Sequence, residues 1–511
     1  MSETKPESQK LVRGLSMTDA TMIVIGSMIG SGIFITSAKS ALLVGAPGWL
    51  LVAWALGGVL TITGALSCAE LAAMMPRAGG QYVFLREAYG RPFGFLFGWS
   101  LLLVIQTGTI AAVAVAFARF MGVLAPAISE THYLITPKHL FGSYAISLST
   151  AQLIAILLIL FLTATNTRGL RTGKFIQNTF TFTKTAALAG LILIGLLLGW
   201  NHGSAAYTSS WWHPSVNGWD PQIVRPGIGA TGATALLMLL GLAMVGPLFA
   251  QSAWNNVTFT GSEVRDPGRN LPRALLIGCL TVVGLYLLAN LAYVGTLQLS
   301  TIQKPSNSVA TAVMQAVFNR PGTILMAVAI MISTFGCNNG LILAGARVYY
   351  AMARDNLFFK RIGTVNARSV PAIALIVQGL WAAFLTLPRT TITDPKTAVV
   401  TYGNVYDQLL EYIVSADLIF YALMVIAVIV MRRKAARLER PYRTFGYPLV
   451  PLIYIVIAGL VVLDLAYLAP LTAGIGYLLV LTGIPAYLIW RRSAQSHGSL
   501  ETSEALATND V

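Results

Sequence analysis

The chain has 511 residues, 56% of them hydrophobic and 10% charged, whereas a soluble domain carries about 25% charged residues. That balance excludes a soluble globular protein and points to an all-α integral membrane protein spanning a lipid bilayer. The net charge of +15 does not imply a nucleic-acid partner, because the cations are spread over many short loops, as the positive-inside rule expects.

Hydropathy predicts 12 transmembrane helices, near 18–44, 48–75, 93–121, 150–165, 175–200, 233–258, 272–298, 323–353, 369–387, 405–431, 449–469 and 473–490. Residues 1–15 read as a polar tail with no cleavable signal. A first transmembrane repeat with its outer loop covers 16–232, a second 233–431, the last two spans 432–493, and a second tail 494–511. Residues 1–10 and 494–511 are polar without apolar period and are expected to be disordered. Of the 34 Lys and Arg, 25 fall in the segments on the side of the N-terminus, 6 on the opposite side and 3 within spans. Both termini are therefore predicted to be cytoplasmic, in an inner or plasma membrane.

Ser16 and Asp19 form a capping-box pattern opening the first span. Within that span, Gly26, Gly30 and Gly32 fall in seven positions, and each costs a helix interior about 1 kcal/mol against alanine. Interrupted backbone at membrane depth is tolerated only where it is buried in protein or lines a cavity. Two half-helices meeting there offer N–H groups to a carboxylate and C=O groups to an ammonium; the alternative is a glycine-packed helix contact. Glu70, near the inner end of span 2 and a few residues from Arg77, is read as an ion-paired anchor. Arg119 can snorkel at the outer end of span 3 and is assigned no role.

Lys184 lies in span 5, where a lysine costs about 2.5–3.5 kcal/mol to insert. Either it snorkels to the inner interface, or its ammonium meets carbonyls freed by the break in span 1 and does the work of a sodium ion. Loop 201–232, with Trp211, Trp212 and Trp219, is expected outside, on the interface or over the entrance. Span 6 is broken in its turn, with Pro247 removing a donor and Gln251, Ser252, Asn255 and Asn256 polar at membrane depth. Broken helices at matching places in two halves point to a transporter's substrate site, and five intervening spans make the halves inverted. Asn338 and Asn339 in span 8 either line the cavity or bond helices together. Cys68, Cys279 and Cys337 lie in apolar segments and suggest no disulfide or metal framework; no cofactor is expected.

Four stretches resemble the amino acid–polyamine–organocation (APC) superfamily and, within it, the L-type amino acid transporters (LAT). They are Ile25-Gly-Ser-Met-Ile-Gly-Ser-Gly-Ile-Phe34, Gly64-Ala-Leu-Ser-Cys-Ala-Glu-Leu71 with Gly79-Gly-Gln-Tyr82, Phe249-Ala-Gln-Ser-Ala-Trp-Asn255 with Asn270-Leu-Pro272, and Leu438-Glu-Arg-Pro441. The resemblance implies a LeuT-like fold with a 5+5 inverted repeat and broken helices 1 and 6. It implies a substrate carboxylate at Gly30, Ser31 and Gly32, and an ammonium at carbonyls near Met28, Ile29, Phe249 and Ser252. It makes Phe249 a gate and Lys184 a sodium mimic, with a proton site as the alternative. Ser252 and Ala253 stand where the branch usually has two glycines, which narrows the pocket. Loop 122–149 has no cysteine, so the disulfide-linked glycoprotein partner of eukaryotic members is not expected.

The resulting expectation is a sodium-independent exchanger of small to medium neutral L-amino acids working by alternating access. A proton-coupled symporter is the runner-up. A cationic amino acid or polyamine carrier would want an acidic pocket, and spans 1, 6 and 8 offer no mid-membrane acid. A non-transporting sensor would be expected to carry a large regulatory domain. No nucleophile–base or metal constellation suggests an enzyme.

Overall fold

The computed structural model describes residues 11, 13–141, 144–304, 308–393, 400–402 and 405–491. The tails 1–10 and 494–511 lie outside the described residues. Among those described, ten helical stretches are long and apolar enough to cross a membrane. Two shorter apolar helices, Thr150–Asn166 and Ala372–Phe384, stand where spans 4 and 9 are expected.

Span 1 opens on a reciprocal capping box: the Ser16 hydroxyl accepts the Asp19 N–H, and the Asp19 carboxylate accepts the Ser16 N–H at 2.9 Å. Asp19 also receives Lys174 at 2.5 Å and Asn178 at 2.7 Å from span 5, which pins the two helices together. The helix Met17–Met28 then stops, and Gly32–Ile35 and Ser37–Val44 resume it. Span 6 is Gly232–Ala243 and Val245–Ala250, a non-helical stretch over 251–255, and Asn256–Phe259. The two interruptions face each other. A β-carbon on Gly32 would sit 2.7 Å from the Ala250 Cα, so only glycine lets the two chains approach this closely.

The expectation of an all-α chain is corrected by a small sheet. Four antiparallel strands, β1 Tyr133–Phe141, β2 Tyr144–Ser149, β3 Pro388–Thr393 and β4 Val400–Tyr402, pair in the order β1-β2-β3-β4. β2 alternates buried and half-buried residues, the period of a strand with one covered face. Pro137 lies on β1, an edge strand where a missing donor is tolerated. Gln152 anchors the sheet to span 4 by accepting the Ser149 N–H of β2 at 2.7 Å.

Loop 201–232 packs over the turn between spans 1 and 2. Trp219 donates to the Leu43 carbonyl at 2.9 Å, Asn217 to Gly45 at 3.0 Å, and Trp49 to Trp212 at 3.2 Å. Gly45 has φ +66°, and a side chain there would strike Trp219. Glu70 is ion-paired as expected, but not with Arg77. It holds Arg432 at 2.7 Å and Arg440 at 3.4 Å and accepts the Thr444 N–H at 2.8 Å. Arg77 instead lies 3.6 Å from Glu87. The partners of Glu70 lie more than 360 residues away in the chain, beyond any local reading.

Candidate functional site

The site grows from the interruption in span 1. Among the described residues, the N–H groups of Gly30, Ser31 and Gly32 have no backbone acceptor, and Ser31 is fully buried. Three N–H groups ahead of a helical turn are free to receive an acceptor. The Ser31 hydroxyl lies 2.9 Å from the Tyr406 hydroxyl of span 10. Phe249 of span 6 packs edge-on against the same tyrosine, ring centroids 6.1 Å apart, and is 5% exposed. The break is therefore walled by Phe249 and Tyr406.

The carbonyls of the break divide into two sets. Lys184 is fully buried and does not snorkel. Its Nζ donates to the Gly26 carbonyl at 2.5 Å and the Ile29 carbonyl at 2.7 Å, with the Ser333 carbonyl at 3.5 Å. Ser333 Oγ donates to Ile29 at 3.2 Å and Gly30 at 3.1 Å. The Ile29 carbonyl, 2.7 Å from Lys184 Nζ, belongs to the lysine's set, and the single Ser333 proton is shared between Ile29 and Gly30. On the other side, the Tyr286 hydroxyl lies 3.0 Å from the Met28 carbonyl and 3.3 Å from the Ala250 carbonyl, bridging the two breaks. One hydroxyl proton cannot saturate both. The Phe249 carbonyl takes the Ser252 hydroxyl at 2.8 Å, so Ser252 stabilises the break in span 6. Cys337 Sγ donates to the Ser27 carbonyl at 3.2 Å.

Asn338 and Asn339 hold helices together. With its amide oriented so that both groups are satisfied, Asn338 donates to the Ile110 carbonyl and accepts from the Ala114 N–H, each at 3.1 Å. Asn339 accepts from Asn166 at 2.9 Å and donates to the Gly173 carbonyl at 3.1 Å and Gln177 at 3.2 Å. Asn255 joins Tyr421 at 2.9 Å to Gln81 at 2.5 Å. Ala253 takes φ +64° and donates its N–H to the Tyr421 hydroxyl at 3.2 Å.

Two features escaped the sequence reading. One is the fully buried pair of Arg347 and Glu263, 2.8 Å apart, below the break in span 6. The other is Asp417, 7% exposed in span 10, an intramembrane acid within Val414-Ser-Ala-Asp417.

Comparison with known proteins gives a consistent answer. The sequence profile described as amino acid permease matches residues 15–484. The chain is 29% identical to the serine/threonine exchanger SteT of Bacillus subtilis (strain 168) over 484 residues, covering 94% of this chain and 97% of the relative. It is 29% identical to the human b(0,+)-type amino acid transporter 1 over 440 residues, covering 86% and 80%. It is 27% identical to the mouse large neutral amino acids transporter small subunit 2 over 500 residues, covering 96% and 84%. The chain is a multi-pass membrane protein of the amino acid permease family, in the L-type branch of the amino acid–polyamine–organocation superfamily, and so belongs with transporters and not enzymes.

Proposed function

We propose that the chain is a sodium-independent amino acid exchanger working by alternating access. It would have twelve spans, a LeuT-like pair of inverted five-helix repeats and both termini cytoplasmic. The observation that carries the reading is Lys184, whose Nζ lies within 2.7 Å of the Gly26 and Ile29 carbonyls. A fixed ammonium there satisfies the freed carbonyls that a sodium ion would otherwise coordinate. The substrate carboxylate takes the N–H groups of Gly30, Ser31 and Gly32. Its ammonium takes the Met28 and Ala250 carbonyls beside Tyr286, together with Phe249, and Phe249 closes over it. Ile29 serves Lys184 and not the substrate. The name of one relative, a serine/threonine exchanger, supports exchange of small amino acids, as do the side chains at Ser252 and Ala253.

The test is counterflow of a radiolabelled amino acid panel in proteoliposomes without sodium or proton gradients. Uptake that requires internal amino acid supports the proposal. Accumulation into an empty lumen driven by a proton gradient alone would replace it with proton symport.

A further inference from the structure

Span 7, Pro267–Thr296, packs along span 2, Pro47–Met74, where Gly58 makes room for Val283. At the first turn of span 7, a side chain on Gly268 would lie 3.3 Å from Pro441 Cγ and 3.9 Å from the Ala73 carbonyl. The entry to span 7, the end of span 2 and loop 435–448 therefore meet, on the side of the membrane where Leu15 pairs with Arg265.

The loop is held from within. Glu70 takes Arg432, Arg440 and the Thr444 N–H. Arg440 also donates to the Met431 carbonyl at 3.0 Å and the Ala435 carbonyl at 2.9 Å, at the end of span 10. The arginines on the outer surface are not used in this way. Arg265, Arg269 and Arg273 at the entry to span 7, and Arg437 and Arg443 on the loop, are exposed, against two exposed acids, Asp266 and Glu439. Among the described residues, Arg269, Arg273 and Arg443 form no ion pair. Arg269 adjoins Gly268 and Arg443 lies two residues beyond Pro441, so the two flank the contact.

Towards the membrane centre the same surface turns apolar. Leu276, Ile277, Leu280 and Leu288 of span 7 are exposed. Arg269, Arg273, Leu276 and Leu280 follow the three-and-four spacing of a single helix face. From Leu276 to Leu288 the helix rises about 18 Å, close to the roughly 15 Å of one leaflet in a 30 Å hydrocarbon core. Val59, next to the Gly58 contact on span 2, is exposed as well. A cluster of cations at the end of a leaflet-long apolar stripe matches an anionic head on an acyl chain. An acidic protein segment would meet the arginines and leave the stripe without a role. A second copy of the chain would bring the same arginines against one another across a two-fold axis.

We infer that Arg269, Arg273 and Arg443 hold the phosphate of an anionic phospholipid whose acyl chain lies along Leu276, Ile277 and Leu280. The site rests on the membrane-spanning fold and not on the proposed exchange. Span 7 also carries Tyr286, which bridges the two breaks, so the lipid grips the foot of a helix that reaches the substrate site.

The experiment uses the full chain in detergent, freed of lipid, and native mass spectrometry. Dioleoyl phosphatidylglycerol and dioleoyl phosphatidylcholine, which share their acyl chains, are offered together at equal concentration. The anionic lipid is expected to be retained at least tenfold more. Arg269→Gln, Arg273→Gln and Arg443→Gln combined should reduce that preference at least fivefold, and Arg269→Lys, Arg273→Lys and Arg443→Lys combined should keep most of it. Lys360→Gln with Arg361→Gln, exposed cations elsewhere on the same side, should leave it unchanged. Thermal unfolding with each lipid repeats the comparison, and without lipid the triple Gln variant should unfold at the temperature of the unaltered protein. Equal retention of the two lipids overturns the inference, as does a preference that survives in the triple Gln variant. A preference lost equally in the Lys360 and Arg361 variant shows diffuse attraction to a charged face and overturns it too. Displacement of the bound lipid by inorganic phosphate assigns the arginines to free phosphate instead.

Discussion

A primary ammonium has three protons to give, and around Lys184 three carbonyl oxygens lie within 3.5 Å. Removing the ammonium leaves buried carbonyls unpaired, at about 1–3 kcal/mol each. Lys184→Ala is therefore expected to lower exchange at least tenfold, with no recovery in sodium, because among the described residues its hydrogen-bond partners are carbonyls and include no carboxylate. Counterflow in sodium and in choline checks this, and full activity would refute the fixed-cation reading. Gly32 acts differently from what the sequence suggests. Its missing β-carbon makes room for the Ala250 backbone, not only for a ligand. Gly32→Ala should therefore lower the unfolding temperature in detergent as well as abolish binding; an unchanged unfolding temperature would contradict the contact. Both residues were legible, since a lysine and a glycine cluster are out of place at membrane depth. The partner of Gly32 was not, because it lies more than 200 residues along the chain.

Span 6 shows how an element stores strain at its break. Ala253 occupies the left-handed region, which costs an L-residue about 1–2 kcal/mol, and it is held there by the Tyr421 hydroxyl. Ala253→Gly should leave the unfolding temperature unchanged or raise it, and should admit larger side chains. A competition series from alanine to tryptophan reads the second effect; a lower unfolding temperature would argue against strain. The helices were legible because a membrane demands long apolar runs. The strands were not: Pro137 interrupts the pattern of β1, and β3 reaches β2 from more than 230 residues away. Asn338 and Asn339 were ambiguous for a related reason. A polar patch on one helix reads the same whether it meets a cavity or a neighbouring helix.

For the whole molecule, the closure below the break joins segments distant in sequence. Gly14 and Leu15 both donate to the Glu263 carbonyl at 2.9 Å, and Arg265 donates to the Leu15 carbonyl at 2.9 Å. Leu15 is fully buried. The Glu263 side chain meets Arg347 within the same layer. Residues 14–15 thus form a strap across this layer. Arg347→Met strands a buried carboxylate, a cost of about 3–5 kcal/mol, whereas adding Glu263→Met should recover much of it. Thermal unfolding of the two single variants and the double one checks this; additive losses would show that the pair is not coupled. No feature of the sequence announced the strap, because Arg347 counts as one more loop cation and Glu263 as the end of a helix.

Cys337 gives the molecule a built-in clock. Its sulfur touches the Ser27 carbonyl and lies 3.0 Å from where a side chain on Gly30 would begin, while Cys68 and Cys279 are buried elsewhere. Cys337 is buried, so under the proposed alternating access a small alkylating reagent reaches this thiol only in states that expose the break in span 1 to water. In a Cys68→Ser, Cys279→Ser background, the labelling rate then reports the fraction of time the break is exposed. A bound amino acid should slow the reaction, and reagent added from one face alone should reveal from which side the break is exposed.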